Sequence, residues 1–166
     1  ILDIGTGSGC IPVSLVHRLP LSTVHAWDVS PEALEVARRN AIRNGVTVHF
    51  QQVDALQESW PSLNIDVLVS NPPYITEKER TDMERNVLDW EPELALFVPD
   101  NDPLLFYRHI ARIGLDLLSP SGTLYYEINR AYGAETVSLL QQLGYHSVEL
   151  RKDLSGNDRM VKAVKP

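Results

Sequence analysis

Residues 1–18 read ILDIGTGSGCIPVSLVHR. Ile1–Ile4 is almost wholly apolar and reads as a buried strand. Gly5, Gly7 and Gly9 follow at once, and Cys10–Arg18 then takes up a helical pattern. A strand that passes through a glycine turn into a helix is the opening of an α/β unit. Glycines at such a turn allow tight bending and close approach of the backbone to a ligand.

The alternation continues outward from that stretch. Val24–Trp27 reads as a second strand ending at Asp28. Ser30 suits an N-cap, Pro31 the first helical position and Glu32 the positive helix start. The helix over 31–43 stops at Asn44-Gly45, a helix-ending pair. Val46–Val53 and Ile65–Ser70 supply strands three and four. Pro103–Leu118 predicts a helix, Gly122–Ile128 a strand, Ala131–Leu143 a helix, and Tyr145–Arg151 and Arg159–Val164 two closing strands. The expected fold is α/β and Rossmann-like: a seven-stranded, mostly parallel sheet covered on both faces, with an antiparallel pair at one edge. There is no repeat, linker or low-complexity tract, so residues 1–166 read as one domain. In open sheets of this kind ligands sit beyond the carboxyl ends of the strands. The glycine loop, Asp28 and the SNPPY stretch that ends strand four should therefore share one rim.

Composition narrows the class. The 166 residues are 43% hydrophobic and 22% charged, ordinary for a globular protein, and the formal net charge is −7. No general attraction to nucleic acid follows from that balance. Cys10 is the only cysteine, which removes intramolecular disulfides and cysteine-based zinc sites, and it reads as a small buried residue. His17, His25, His49, His109 and His146 are scattered and read as surface or structural groups, so no metal site is expected. No apolar run approaches the ~20 residues of a membrane span, and no signal peptide is visible, so the cytoplasm is the expected location. The abrupt apolar opening, without Met, reads as a fragment from which a preceding segment has been removed.

Two constellations carry chemistry. The glycine spacing is G-x-G-x-G, not the G-x-G-x-x-G of diphosphate-binding loops, and no P-loop Lys follows. Asp28 lies 19 residues after Gly9, at a strand tip, where a carboxylate can accept from both hydroxyls of a ribose. A nucleoside ligand without a diphosphate fits, and S-adenosyl-L-methionine is the obvious one. Gly5, Thr6, Gly7, Ser8, Gly9 and Asp28 are its candidate binding residues, with Asp54 and Ala55 placed near the adenine. Asp3 is expected to hold the loop's shape from below.

The second constellation is SNPPYI, residues 70–75. An amide or exocyclic amine nitrogen is a poor methyl acceptor because its lone pair is delocalised. A site that methylates it must hold both N–H hydrogens and aim the remaining lone pair. The Asn71 side-chain oxygen and the Pro72 carbonyl can do so, Pro72 and Pro73 stiffen the backbone, and Tyr74 offers a stacking face. Asn71, Pro72 and Tyr74 are thus the candidate catalytic residues. Asn71, Pro72, Pro73 and Tyr74 form the candidate substrate socket, with Asn71 also beside the cofactor.

Three motifs, DIGTGSG, AWDVSPEALEVARRNA and SNPPYI, together resemble the seven-strand S-adenosylmethionine-dependent methyltransferases that act on amino nitrogens. The narrower resemblance is to the HemK/PrmC release-factor glutamine methyltransferases, through WEPELAL, DPLLFYRHI, GTLYYEIN and DLSGNDRMVKAV. The chain departs from that family's usual pattern at Asn129 and Tyr132, where Gly and Gln are common, at Pro103, where Gly is usual, and at Ala55, where an aromatic often stands. The resemblance implies methylation of the glutamine in the Gly-Gly-Gln tip of class 1 peptide-chain release factors, cofactor binding by residues 5–9 and Asp28, and amide binding by Asn71–Tyr74. It also implies an N-terminal helical substrate-binding domain absent from these residues. Other readings are a ribosomal-protein glutamine methyltransferase, a DNA or RNA adenine amino-methyltransferase, and a non-catalytic cofactor-binding module. Glu127, at the end of strand five, reads as a structural carboxylate more than a substrate contact. The charged stretch Thr76–Asp102 reads equally as a lid or a solvated loop. Trp90 and Trp27 read as packing residues.

Overall fold

Strand β1 (Leu2–Ile4) is buried along its whole length because it lies inside a sheet, with β2 (His25–Asp28) on one side and β4 (Ile65–Ser70) on the other, both parallel to it. The structure, a computed structural model, describes residues 1–82 and 95–166. Its seven-stranded sheet runs β3-β2-β1-β4-β7-β9-β8, where β3 is His49–Gln52, β7 Leu118–Glu127, β8 His146–Lys152 and β9 Asp158–Val164. Strands β1 to β4 and β7 are parallel. Strand β9 runs against both β7 and β8. The antiparallel pair therefore closes one edge, with the reversed strand one place in from it.

The chain steps from β1 toward β3 in one direction and from β4 toward β8 in the other. The order thus switches between β1 and β4, which is where ligands enter such sheets. Helices α1 (Cys10–Arg18) and α2 (Pro31–Arg43) belong to the first half, and α3 (Leu105–Leu117) and α4 (Gly133–Gln142) to the second. Helix α3 buries Tyr107, Ile110, Ala111, Ile113, Gly114 and Leu117 in one core with Leu68, Leu124, Tyr126 and Val161 from the sheet. Two buried hydroxyls are satisfied on its backbone: Tyr126 donates to the Tyr107 carbonyl at 2.9 Å and Tyr145 to that of Ala111 at 2.7 Å. No helix among the described residues is long and apolar enough to cross a membrane.

Four expectations shift. Strand β3 is shorter than the expected Val46–Val53, because the Val46 amide still donates to the Ala41 carbonyl at 3.1 Å in the turn that ends α2. Strand β7 begins at Leu118, four residues early, because Leu118 pairs with Ile65 across a register irregularity that the turn around Ser121 (φ 64°) accommodates. Helix α4 begins late, because the Asn129 side chain first caps a single 3₁₀ turn, Arg130–Tyr132. Cys10 is exposed at the start of α1, not buried. The stem of the long charged stretch has structure of its own. Strand β5 (Ile75–Thr76) pairs in parallel with β6 (Phe97–Val98), and Glu77–Asp82 forms a 3₁₀ turn whose Arg80 lies 4.0 Å over the Phe97 ring. Trp90 and Pro92 lie outside the described residues.

Candidate active site

The glycine loop is held from three sides. The amides of Gly5 and Thr6 both donate to the Trp27 carbonyl, at 2.9 and 3.1 Å, tying the loop to β2. The Gly7 amide donates to Asp28 Oδ2 at 2.8 Å, and Asn40 of α2 donates from Nδ2 to the Ser8 carbonyl at 2.9 Å. Gly5 and Gly7, at φ 74° and 53°, adopt a left-handed backbone that side chains disfavour, and little stands near either Cα. Asp28 Oδ1 accepts from the Ser30 amide at 2.9 Å, and Ser30 Oγ in turn caps α2 at Ala33. On the other flank the Ser70 hydroxyl donates to the Ile4 carbonyl at 2.6 Å, locking the end of β4 beside the loop.

A cavity of about 590 Å³ opens over this rim. That is ample for a small-molecule cofactor. Gly5, Gly7, Ser8, Asp28, Asp54, Ala55, Asn71, Pro72 and Pro73 all line it. Thr6 and Gly9 do not: Thr6 is buried beneath, and Gly9 packs against Ala37 of α2. Tyr74 also leaves the wall. Its hydroxyl donates to Glu127 Oε1 at 3.1 Å, and burial, then the Glu127 charge, push its pKa up. The Asn71 side chain is exposed and bonds to no other described residue, so both its amide groups are available, whereas Pro72 is buried. Apolar walls come from residues that the motifs did not single out, chiefly Val29, Leu56, Phe106 and Ile110. Val29 stays 39% exposed directly after Asp28, and a bulky apolar residue following a strand-end acid is the signal that marks it. A polar annex of about 300 Å³, with Gln51, Gln52 and Gln57 on its wall, adjoins the cavity at Val29, Val53 and Asp54.

Asp3 gives the loop its electrostatics. It is fully buried, and neither carboxylate oxygen has a hydrogen-bond partner. Burial pushes its pKa up to about 7; the nearby Thr6 side chain tempers the rise without meeting hydrogen-bond geometry, and the Asp28 charge adds to it. The Thr6 hydroxyl oxygen is likewise unpartnered.

A family model described as methyltransferase small domain matches residues 1–89. The chain belongs to that family. The matched residues of this methyltransferase small domain contain the glycine loop, Asp28 and the Asn71–Tyr74 socket. The Rossmann-like fold is shared with a methyltransferase from Pyrococcus furiosus, which superposes with a TM-score of 0.70 at 20% identity, over 99% of this chain and 73% of its own. The chain is 52% identical to a release factor glutamine methyltransferase of Bacteroides thetaiotaomicron, over 98% of this chain and 59% of that protein. It is 49% identical to the protein of the same name from Flavobacterium psychrophilum, over 98% of this chain and 57% of that one. The chain thus spans rather more than half the length of the curated relatives it matches.

Proposed function

We propose that this domain transfers the methyl group of S-adenosyl-L-methionine to the side-chain nitrogen of glutamine in the Gly-Gly-Gln tip of a class 1 peptide-chain release factor. One observation carries the reading: the Asn71-Pro72-Pro73 wall faces the same cavity as the glycine loop and Asp28. A cofactor held by the loop and an amide held by the socket would meet there. The names of the relatives support the substrate class.

The residues fit such a cofactor. Each Asp28 oxygen gives one lone pair to a backbone amide and keeps capacity for a sugar hydroxyl. Val29 and Leu56 offer apolar faces to a flat base beside Asp54. The buried, unpartnered Asp3 carboxyl, its pKa pushed up to about 7 by burial, would ionise more readily beneath a cationic ligand and so favour its binding. When bound, S-adenosylmethionine supplies an electrophilic methyl group on a sulfonium sulfur. The chain's own work is then positioning. The Asn71 side-chain oxygen and the Pro72 carbonyl accept the two amide hydrogens and leave the nitrogen lone pair aimed into the cavity. The prolines hold those acceptors in place before substrate arrives, so little reorganisation is needed during transfer. The amide proton becomes acidic once nitrogen has gained its methyl, and water takes it. No strong base is required.

The test is methyl transfer from labelled cofactor to a release factor, to the same factor with its tip Gln changed to Ala, to a glutamine-bearing ribosomal protein and to duplex DNA. Label on the first alone is the expected result; label on DNA or on the ribosomal protein would replace the substrate. Asn71→Ala should lower kcat by about 10²-fold, the size of effect that follows loss of one preorganised contact at the reacting group. Cofactor affinity, measured by calorimetry, should stay within a few fold. Unchanged turnover in that variant would remove the socket from the mechanism.

A further inference from the structure

Downstream of the two prolines the chain turns away from the cavity and is fastened by side chains from two other elements. Asn129 follows the carboxyl end of β7 and is 4% exposed. Its Nδ2 donates to the Tyr74 carbonyl at 3.0 Å and to the Glu79 carboxylate at 3.2 Å (Oε1) and 3.0 Å (Oε2). Its Oδ1 accepts from the Ala131 amide at 2.9 Å. Turning that amide over would set its oxygen against a carbonyl and a carboxylate, so its orientation is fixed. Glu79 Oε2 also accepts from the backbone amide and the hydroxyl of Thr76, both at 2.8 Å. Neither Asn129 nor Glu79 lines the cavity.

Proline fixes φ at 72 and 73, and Pro73 confines the ψ of Pro72 to the extended region, within which it can still turn by a few tens of degrees. The Pro72 carbonyl turns with its ψ, and turning it drags Tyr74 and Thr76 along. Hydrogen bonds that hold the Tyr74 carbonyl and the Thr76 amide remove that freedom. We propose that Asn129 and Glu79 are a positioning pair: by anchoring the downstream end of the Asn71–Tyr74 socket they fix the direction of the Pro72 carbonyl toward the substrate amide. This rests on the methyl-transfer reading above and deepens it. It also gives the Asn129 side chain a task beyond capping the 3₁₀ turn.

The experiment uses the full natural protein, with cofactor Kd, kcat and KM for the release factor, and thermal melting, measured on each variant. Asn129→Ala should lower kcat by about 10-fold or more, since small misplacements of a positioning group cost up to ~10²-fold. Cofactor Kd should stay within about two-fold, and KM should move less than kcat. Asn129→Asp, nearly isosteric, keeps the cap on Ala131 but loses the bonds donated to Tyr74 and to Glu79 and sets a charge beside Glu79; it should be at least as slow. Adding Glu79→Gln to it supplies an amide that can donate to Asp at 129 while its oxygen still accepts from Thr76; the Tyr74 carbonyl stays unheld, so kcat should recover in part, through the Thr76 anchor alone. A residue that merely supports folding would lower melting temperature, kcat and cofactor affinity together, and the second change would rescue nothing. Either a kcat for Asn129→Ala within two-fold of wild type, or a double variant no faster than Asn129→Asp, overturns the positioning role alone. A wild-type protein that binds cofactor and methylates no release factor overturns the functional reading, and the positioning role with it.

Discussion

Each oxygen of Asp28 already accepts one backbone hydrogen, from Gly7 at 2.8 Å and from Ser30 at 2.9 Å. An ionised carboxylate offers about four acceptor positions, so two remain for a ligand. The same side chain therefore shapes the glycine loop and faces the cavity. Asp28→Ala is expected to weaken cofactor binding by about 10- to 100-fold, the net loss of one charged hydrogen bond to the ligand at roughly 1.5–3 kcal/mol. Calorimetry measures the affinity, and faster amide exchange at Gly7 and Ser30 would report the loosened loop; an affinity within two-fold of wild type would place the sugar elsewhere. Asp28 and Asn71 were legible in the sequence because each has a distinctive chemistry at a strand end. Leu56 and Phe106 were not, since an apolar wall is assembled from elements far apart in the chain, and each of these residues alone resembles core. Tyr74 lies off the cavity wall with its hydroxyl on Glu127, a contact between positions 53 residues apart that no local pattern encodes.

At the scale of elements, the glycine turn divides its labour. Gly5 and Gly7 face the cavity, while Gly9 lies at the contact of α1 with α2, where a Cβ would come within 2.9 Å of Ala37 Cβ and 3.1 Å of its Cα. Its φ is 79°, so a side chain would be strained even without that contact. Gly9→Ala should destabilise the domain by about 2–4 kcal/mol, summing the cost of a left-handed residue and of overpacking. Urea unfolding checks it, and measured against Ala37→Gly alone, which carries its own helix cost of about 1 kcal/mol, the double variant should recover only the part of the steric share due to the Ala37 Cβ. A cost below about 1 kcal/mol would mean that the two helices part easily. Spacing alone cannot separate a glycine needed by a ligand from one needed by a neighbouring helix, because both appear as G-x-G-x-G. Strand and helix order was legible for the opposite reason: capping residues such as Ser30 and apolar runs such as Ile65–Ser70 act locally. The early start of β7 was hidden because the Leu118–Ile65 pairing is made between distant segments.

For the whole molecule, pH acts through a sum over carboxylates, and among the described residues most of the perturbed ones pull the same way. Hydrogen bonds from Arg108 hold Asp102 below its usual range, and hydrogen bonds from Thr76 and Asn129, opposed by burial, hold Glu79 below its own. Such groups add stability that is lost as pH falls through their lowered values. Asp3 has the opposite sign. Its pKa is raised to about 7, so the folded chain keeps this proton while the unfolded chain releases it near 4. Stability from this one group should therefore fall as pH rises from about 4 to about 7, by about 4 kcal/mol at most, and then level off. Asp3→Asn removes the ionisation, so the difference between variant and wild type isolates it from the other carboxylates. Urea unfolding of both proteins at pH 5 and pH 8 makes the comparison: the stability of Asp3→Asn relative to wild type should be greater at pH 8. Equal differences at the two pH values would mean that Asp3 titrates as an ordinary carboxylate. A cationic cofactor on the loop above should favour the ionised carboxylate. Saturating S-adenosylmethionine is thus expected to shrink the pH-dependent gap and to release protons on binding near pH 7, which calorimetry in buffers of different ionisation enthalpy would count.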